Sequence, residues 1–186
     1  MKVIQTTILG VVIIEPTVHS DKRGYFIESF KTSDFQEYGL PSHFVQDNQA
    51  KSTKGVLRGL HYQLDYPQGK LVWVSDGKVM DVAVDIRKES PTFGQYVSIT
   101  LDNKTHNRLY IPPGFAHGYH VLSETAVFQY KCTDYYHPQD EYGLNWNDPG
   151  IGIKWKNGDK LVSDKDNALP IWKIWIQSHY HHIQDN

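Results

Sequence analysis

Lys70-Leu71-Val72-Trp73-Val74-Ser75-Asp76-Gly77-Lys78-Val79-Met80-Asp81-Val82-Ala83-Val84-Asp85-Ile86 decides the fold. Two apolar arms meet at Asp76-Gly77, a dipeptide suited to the positive φ that a tight β-turn needs. In the second arm Met80, Val82, Val84 and Ile86 fall on one face of an extended chain, with Asp81, Ala83 and Asp85 on the other. The stretch predicts a β-hairpin with arms 70–75 and 78–86.

The same signals continue outward. Residues 96–101 and 107–111 read as a second strand pair around a polar turn, and Pro112-Pro113-Gly114 is a hard turn. Residues 115–123 and 125–133 read as two further strands. Upstream, the aliphatic run 8–14 reads as a strand and not as a secretory leader. Lys2 is the sole basic residue before it, Gln5, Thr6 and Thr7 interrupt, and Glu15-Pro16 follows without a small-residue cleavage site. Helix signals are sparse. Ser33 is placed to cap a short helix that ends at Gly39. Residues 170–179 fit either a buried strand or a helix. Many short strands with Gly and Pro turns predict an all-β jelly roll or barrel, in one domain over 1–186 with a C-terminal extension from Ile171.

Composition agrees. Of 186 residues, 39% are hydrophobic and 22% charged, the balance of a folded globule. A net charge of −2 gives no broad positive field for nucleic acid or an anionic membrane. No apolar run is long enough to span a bilayer. Cys132 stands alone, so no intrachain disulfide forms, which suits a reducing, cytoplasmic setting. Dinucleotide-binding GxGxxG, the phosphate loop GxxxxGK[ST], CxxC and HExxH are all missing.

Several segments carry residues suited to chemistry. Arg58-Gly59-Leu60-His61-Tyr62-Gln63 contains an imidazole, the side chain best matched to proton transfer near neutral pH. A regular strand sends Arg58 and His61 to opposite faces, so Gly59 has to mark a bulge if both serve one pocket. Lys70, leading an apolar strand, is either a surface lysine or a donor to a developing oxyanion. Pro112-x-Gly114-x-x-His117 is the turn-and-histidine pattern of a cupin barrel's second motif. Tyr130 shares a strand face with Ala126, Phe128 and Cys132, as a core phenol or a general acid. Arg23-Gly24-Tyr25-Phe26-x-Glu28 offers a cation, aromatics and a carboxylate for a phosphate and a base. Gln46-Asp47-Asn48 adds amides. Ser163-Asp164-Lys165-Asp166 reads as a polar turn whose Asp166 is able to orient an imidazole.

Taken together these segments resemble the dTDP-4-dehydrorhamnose 3,5-epimerases, cupin-type jelly-roll enzymes of nucleotide-sugar metabolism. The resemblance rests on Arg23–Glu28, Gln46–Asn48, Arg58–Gln63, Gln68–Val72, Asp81–Arg87, Ser90–Gly94, Ile111–Gly118, Tyr130-Lys131 and Trp146–Pro149, in family order. It implies His61 as general base paired with Asp166, Lys70 on the enolate oxygen, and Tyr130 as acid on the opposite face of the sugar. It further implies Arg23, Phe26, Glu28, Gln46, Asn48, Arg58, His117, Glu141 and Lys165 as the dTDP-sugar site. It implies no metal, no cofactor, and a homodimer whose sites are completed across the interface. The tail from Ile171, rich in Trp and His, matches no motif of the family, and His179, His181 and His182 read as a surface tail.

Three other readings compete. A metal-dependent cupin needs HxH with a downstream Glu in its first motif, where this chain has His61-x-Gln63 and no such Glu; His117, with His120 as a spare, is what the second motif supplies. A sugar-nucleotide binding protein would lack a catalytic group, yet His61, Lys70, Tyr130 and Asp166 are all present. Within the family, a mono-epimerase acting at C3 or C5 alone on a related dTDP-4-keto-deoxyhexose keeps the same acid and base.

Overall fold

In a computed structural model, which describes residues 1–180, both arms around Asp76-Gly77 are strands, but they do not pair with each other. The strands are β1 (Lys2–Gln5), β2 (Val12–Glu15), β3 (Val18–Asp21), β4 (Gly24–Ile27), β5 (Gln46–Thr53), β6 (Leu57–Gln63) and β7 (Lys70–Asp76). They continue as β8 (Lys78–Asp85), β9 (Tyr96–Asp102), β10 (Arg108–Ile111), β11 (Phe115–Val121), β12 (Thr125–Cys132) and β13 (Glu141–Gly143). Among the described residues three short α-helices accompany them, α1 (Thr32–Glu37), α2 (Asp164–Asn167) and α3 (Trp172–Tyr180), with a 3-10 turn at Pro138–Asp140.

Two antiparallel sheets face each other, in the orders β1-β2-β10-β7-β12-β5 and β13-β6-β11-β8-β9. This is the jelly-roll arrangement of paired sheets. Strand β7 belongs to the first and β8 to the second, so Asp76-Gly77 is a corner between sheets and not a hairpin turn. The expected pairing of 96–101 with 107–111 fails in the same way: β9 pairs β8, and β10 pairs β2 and β7. The physical reason is burial. Val72 and Val74 from one arm, and Val79 and Ala83 from the other, all enter the core between the sheets, and crossing sheets is how consecutive arms share one interior. Gly77 has φ +85°, and a Cβ there would collide with the Thr125 carbonyl.

The alternation on β8 sorts as the sequence predicts. Met80, Val82, Val84 and Ile86 form an outer cluster with Leu60, Tyr62, Leu144 and Trp175 on the back of the five-stranded sheet. A third cluster on the back of the six-stranded sheet holds Phe35 of α1, Ile14, Leu71 and Tyr110.

Four local expectations are corrected. Helix α1 starts two residues early, with Lys31 at its N-cap and no side-chain cap, so Ser33 does not cap it. In the run 8–14 only Val12–Ile14 is strand; Ile8 and Val11 are fully buried from a turn closed by the Val11 N–H on the Ile8 carbonyl. Ser163 to Asp166 is a helix start, because the Ser163 hydroxyl accepts the Asp166 N–H and caps α2. Residues 172–180 are helix α3, and His179 is packed in it; His181 and His182 lie outside the described residues.

The hairpin β3–β4 stands apart from both sheets and is largely exposed. Among the described residues no helix is long and apolar enough to cross a membrane.

Candidate functional site

The bend in β6 builds the site. Facing β11, His61 aligns with His117 while Arg58 aligns with Tyr119, so β6 carries one more residue than its partner over this stretch. Gly59 absorbs it at φ +112°, and a Cβ there would lie 2.6 Å from the His117 carbonyl oxygen. Arg58 and His61, three apart, therefore open into one pocket.

That pocket, of about 480 Å³, lies between the sheets. His61, Arg58 and His117 line it from β6 and β11, and Gln46, Asn48, Lys70 and Tyr130 from β5, β7 and β12. Glu141 enters from β13, and Lys165 and Asp166 from α2. Ten of the thirteen residues singled out in the sequence thus meet. Arg23, Phe26 and Glu28 do not. They sit on or just after the β3–β4 hairpin, Arg23 paired with Asp21 at 2.5 Å and Phe26 64% exposed. Glu28 borders a separate, small cavity beside Arg108 and Asp34.

His61 is the centre of a charged row. Its Nε2 lies 2.7 Å from Asp166 Oδ1, and Asp166 Oδ2 accepts the Gly59 N–H at 3.1 Å. Burial pulls the Asp166 pKa up, but the hydrogen bond and charge of His61, with the Gly59 N–H, hold it below the usual carboxylate range. A carboxylate only accepts, so the imidazole proton sits on Nε2 and the lone pair on Nδ1. Nδ1 is 3.9 Å from Glu141 Oε1, beyond a hydrogen bond. Glu141 Oε2 takes the Lys165 ammonium and the Tyr136 hydroxyl, the latter at 3.1 Å. Burial raises the Glu141 pKa, and the Lys165 and His61 interactions more than reverse that.

The facing wall differs in character. Lys70 and Cys132 are opposite each other in the β7–β12 ladder. Burial lowers the Lys70 ammonium pKa from the usual lysine value, with Cys132, Glu141 and Asp81 pulling it back. The Lys70 ammonium makes no hydrogen bond or ion pair with any described residue, so its N–H donors are available to a ligand. Burial pushes the Tyr130 phenol up to about 12, so at neutral pH it carries its proton. A basic nitrogen on one sheet thus faces a protonated phenol on the other, with an ammonium beside the phenol.

Anchors complete the frame. Asp81, fully buried, holds His117 Nε2 at 2.9 Å. Gln46 donates to Asn48 at 3.0 Å and accepts the Tyr136 N–H at 2.9 Å. Arg58 Nε donates to Ser52 Oγ at 3.4 Å. Sequence reasoning missed Asp81, Gln63, Tyr119 and Tyr136. Alternation held a signal for three of them: Asp81 is inward on β8, and Gln63 and Tyr119 lie two residues beyond His61 and His117. Tyr136 sits in a loop and carried none. Among the described residues no three His, Cys, Asp or Glu side chains gather as a metal site.

A family model described as dTDP-4-dehydrorhamnose 3,5-epimerase matches residues 5–173. A protein of that description from Shigella flexneri is 54% identical over 168 residues, covering 89% of this chain and 93% of its own. One from Methanothermobacter thermautotrophicus is 48% identical over 173 residues, covering 91% and 92%. A crystal structure of a Legionella pneumophila dTDP-6-deoxy-D-glucose-3,5-epimerase in complex with dTDP-4-keto-L-rhamnose superposes with a TM-score of 0.89 at 50% identity, covering 91% of this chain and 92% of that one.

Proposed function

The chain belongs to the dTDP-4-dehydrorhamnose 3,5-epimerase family, and from that membership we propose that it converts dTDP-4-dehydro-6-deoxy-D-glucose to dTDP-4-dehydro-L-rhamnose, inverting C3 and C5. The observation that carries the reading is one pocket holding an oriented imidazole on one sheet, with a buried ammonium and a protonated phenol on the other.

The chemistry follows from those groups. The C4 ketone acidifies the hydrogens on C3 and C5. His61 Nδ1 takes one proton, and the C–H electron pair moves onto the C4 oxygen as an enolate. Asp166 steadies the imidazolium that forms. Lys70 donates to the enolate oxygen, a contribution of about 3–4 kcal/mol for a single well-placed donor. Tyr130 returns a proton to the carbon from the opposite face, which inverts it. The phenolate regains a proton from solvent, His61 releases one, and the cycle repeats at the second carbon. No redox step is needed.

Arg58, His117, Gln46, Asn48, Glu141 and Lys165 bind the nucleotide and sugar in this reading. Arg23, Phe26 and Glu28 reach the pocket from a second copy, as a homodimer with shared sites requires. Their exposure on a free-standing hairpin supports that role. A cytoplasmic location suits a lone thiol and an activated nucleotide substrate.

The test is incubation with dTDP-4-dehydro-6-deoxy-D-glucose in D₂O with NMR of the sugar. Deuterium at C3 and C5 with inverted product is expected. Label at one carbon alone makes the protein a mono-epimerase, and no label with any dTDP-4-keto-deoxyhexose overturns the reading.

A further inference from the structure

Trp175 is buried in α3, past the end of the stretch that matches the family model, and its indole N–H donates to the Tyr62 hydroxyl at 2.6 Å. An indole N–H only donates, so the Tyr62 oxygen accepts it, and the same hydroxyl lies 3.1 Å from His179 Nε2. The Trp175 carbonyl oxygen only accepts, so His179 Nδ1, 2.9 Å from it, carries a proton. The ring closes on itself: indole to phenol, phenol to imidazole, imidazole to the backbone of the same tryptophan. The His179 ring also stacks on Trp175, with centroids 4.6 Å apart.

Tyr62 is one residue from His61, and its ring stacks on Tyr142 with centroids 5.8 Å apart. Tyr142 is one residue from Glu141. In the β6–β13 ladder Tyr62 faces Tyr142, Gly143 faces His61 and Glu141 faces Gln63. Strand alternation puts the two tyrosines on the outer side and sends the His61 and Glu141 side chains through to the pocket. The carboxylate and imidazole of the charged row are therefore each set by a strand whose outward ring is held by α3.

We propose that Trp175 and His179 are positioning residues for His61 and Glu141, acting through the stacked pair Tyr62 and Tyr142. The C-terminal helix is then part of the catalytic frame, although it touches no substrate. This rests on the reading of His61 as the base.

Trp175→Phe and Tyr62→Phe each remove the shared hydrogen bond and keep a ring in place. The measurement is deuterium incorporation at saturating dTDP-4-dehydro-6-deoxy-D-glucose, beside calorimetric binding of dTDP and a thermal melt. Each variant is expected to exchange about tenfold more slowly, the size of effect that small displacements of a catalytic group produce. The dTDP affinity is expected to stay within about twofold, a split that general loss of structure does not give. The double variant is expected to be no slower than the slower single one, since both break one interaction. Exchange by both single variants within about twofold of wild type, or dTDP binding weakened in proportion to exchange, overturns the brace. Wild-type exchange beside these keeps the two questions apart: its absence overturns the function itself, and its presence with unchanged variants overturns the brace alone.

Discussion

The Gly59 N–H donates to Asp166 Oδ2 at 3.1 Å, so the carboxylate that orients His61 also fastens the bulge that turns His61 inward. One side chain from a four-residue helix sets both the tautomer of His61 and the path of its strand.

Asp166→Asn keeps the shape and loses the charge. The amide is able to offer Nδ2–H to the imidazole, which moves the ring proton to Nδ1 and blocks the basic atom. A fall in kcat of about 10³–10⁴-fold is expected, by analogy with the same exchange in a Ser-His-Asp triad. A melt near that of wild type separates this from misfolding; activity within tenfold of wild type would refute the assignment of the basic nitrogen.

Tyr130→Phe removes the proposed proton donor and leaves the proposed base, His61. Deuterium should still enter at C3, while inverted product falls by about 10²–10⁴-fold, the usual worth of one general acid. NMR distinguishes exchange from inversion directly. Exchange and inversion lost together would mean that the phenol takes part in the first proton removal.

Asp85 reports on acid stability. Burial raises its pKa, but bonds from Arg87, Ser90 and Thr92 outweigh that and hold it at about 2. A native pKa below the unfolded one stabilises the fold at pH above about 4, and that stability is lost as pH falls through about 2. Asp85→Asn should cost about 2 kcal/mol at pH 7, with the gap to wild type narrowing to about a third of that by pH 2.5. Urea melts at the two pH values check it; a gap that is independent of pH would assign the loss to packing.

Arg108 is buried, with its Nε and Nη1 making no hydrogen bond to any described residue, over the Trp73 ring at 4.7 Å. Burial lowers its pKa to about 10. Replacing an unpaired buried charge by an apolar side chain of similar length commonly stabilises. Arg108→Met should raise the melting temperature by about 3 °C, equivalent to about 1 kcal/mol in a chain of this size. A lowered melting temperature would mean that the guanidinium is paired in the folded protein in solution.

The strands were legible because alternation and turn residues are local. Ala83 against Met80, Val82, Val84 and Ile86 sorted to opposite faces as read. Which strand pairs with which was not, since Asp76-Gly77 marks a tight turn equally well at a hairpin and at a corner. The pocket was legible where a motif carried it, and the bend at Gly59 followed from asking how Arg58 and His61 reach one side. The tail was misread because its meaning lies in Tyr62, more than a hundred residues earlier, where Trp175 Nε1 finds its acceptor. The hairpin residues Arg23, Phe26 and Glu28 show no destination within a single chain.

The corner at Asp76-Gly77 also bears on how the chain folds. Neighbouring arms that go to opposite sheets have no ladder to form with each other. Strand β7 waits for β10 and β12, and β8, although it pairs its neighbour β9, waits for β11, so long loops close before most other backbone pairs are gained. Refolding is then slow for the chain's size, and nascent edges stay open meanwhile. Because His61 and Tyr130 belong to different sheets, no half-built sheet holds both. Recovery of activity is therefore a clock for the final docking of the two layers, later than any signal from strand formation.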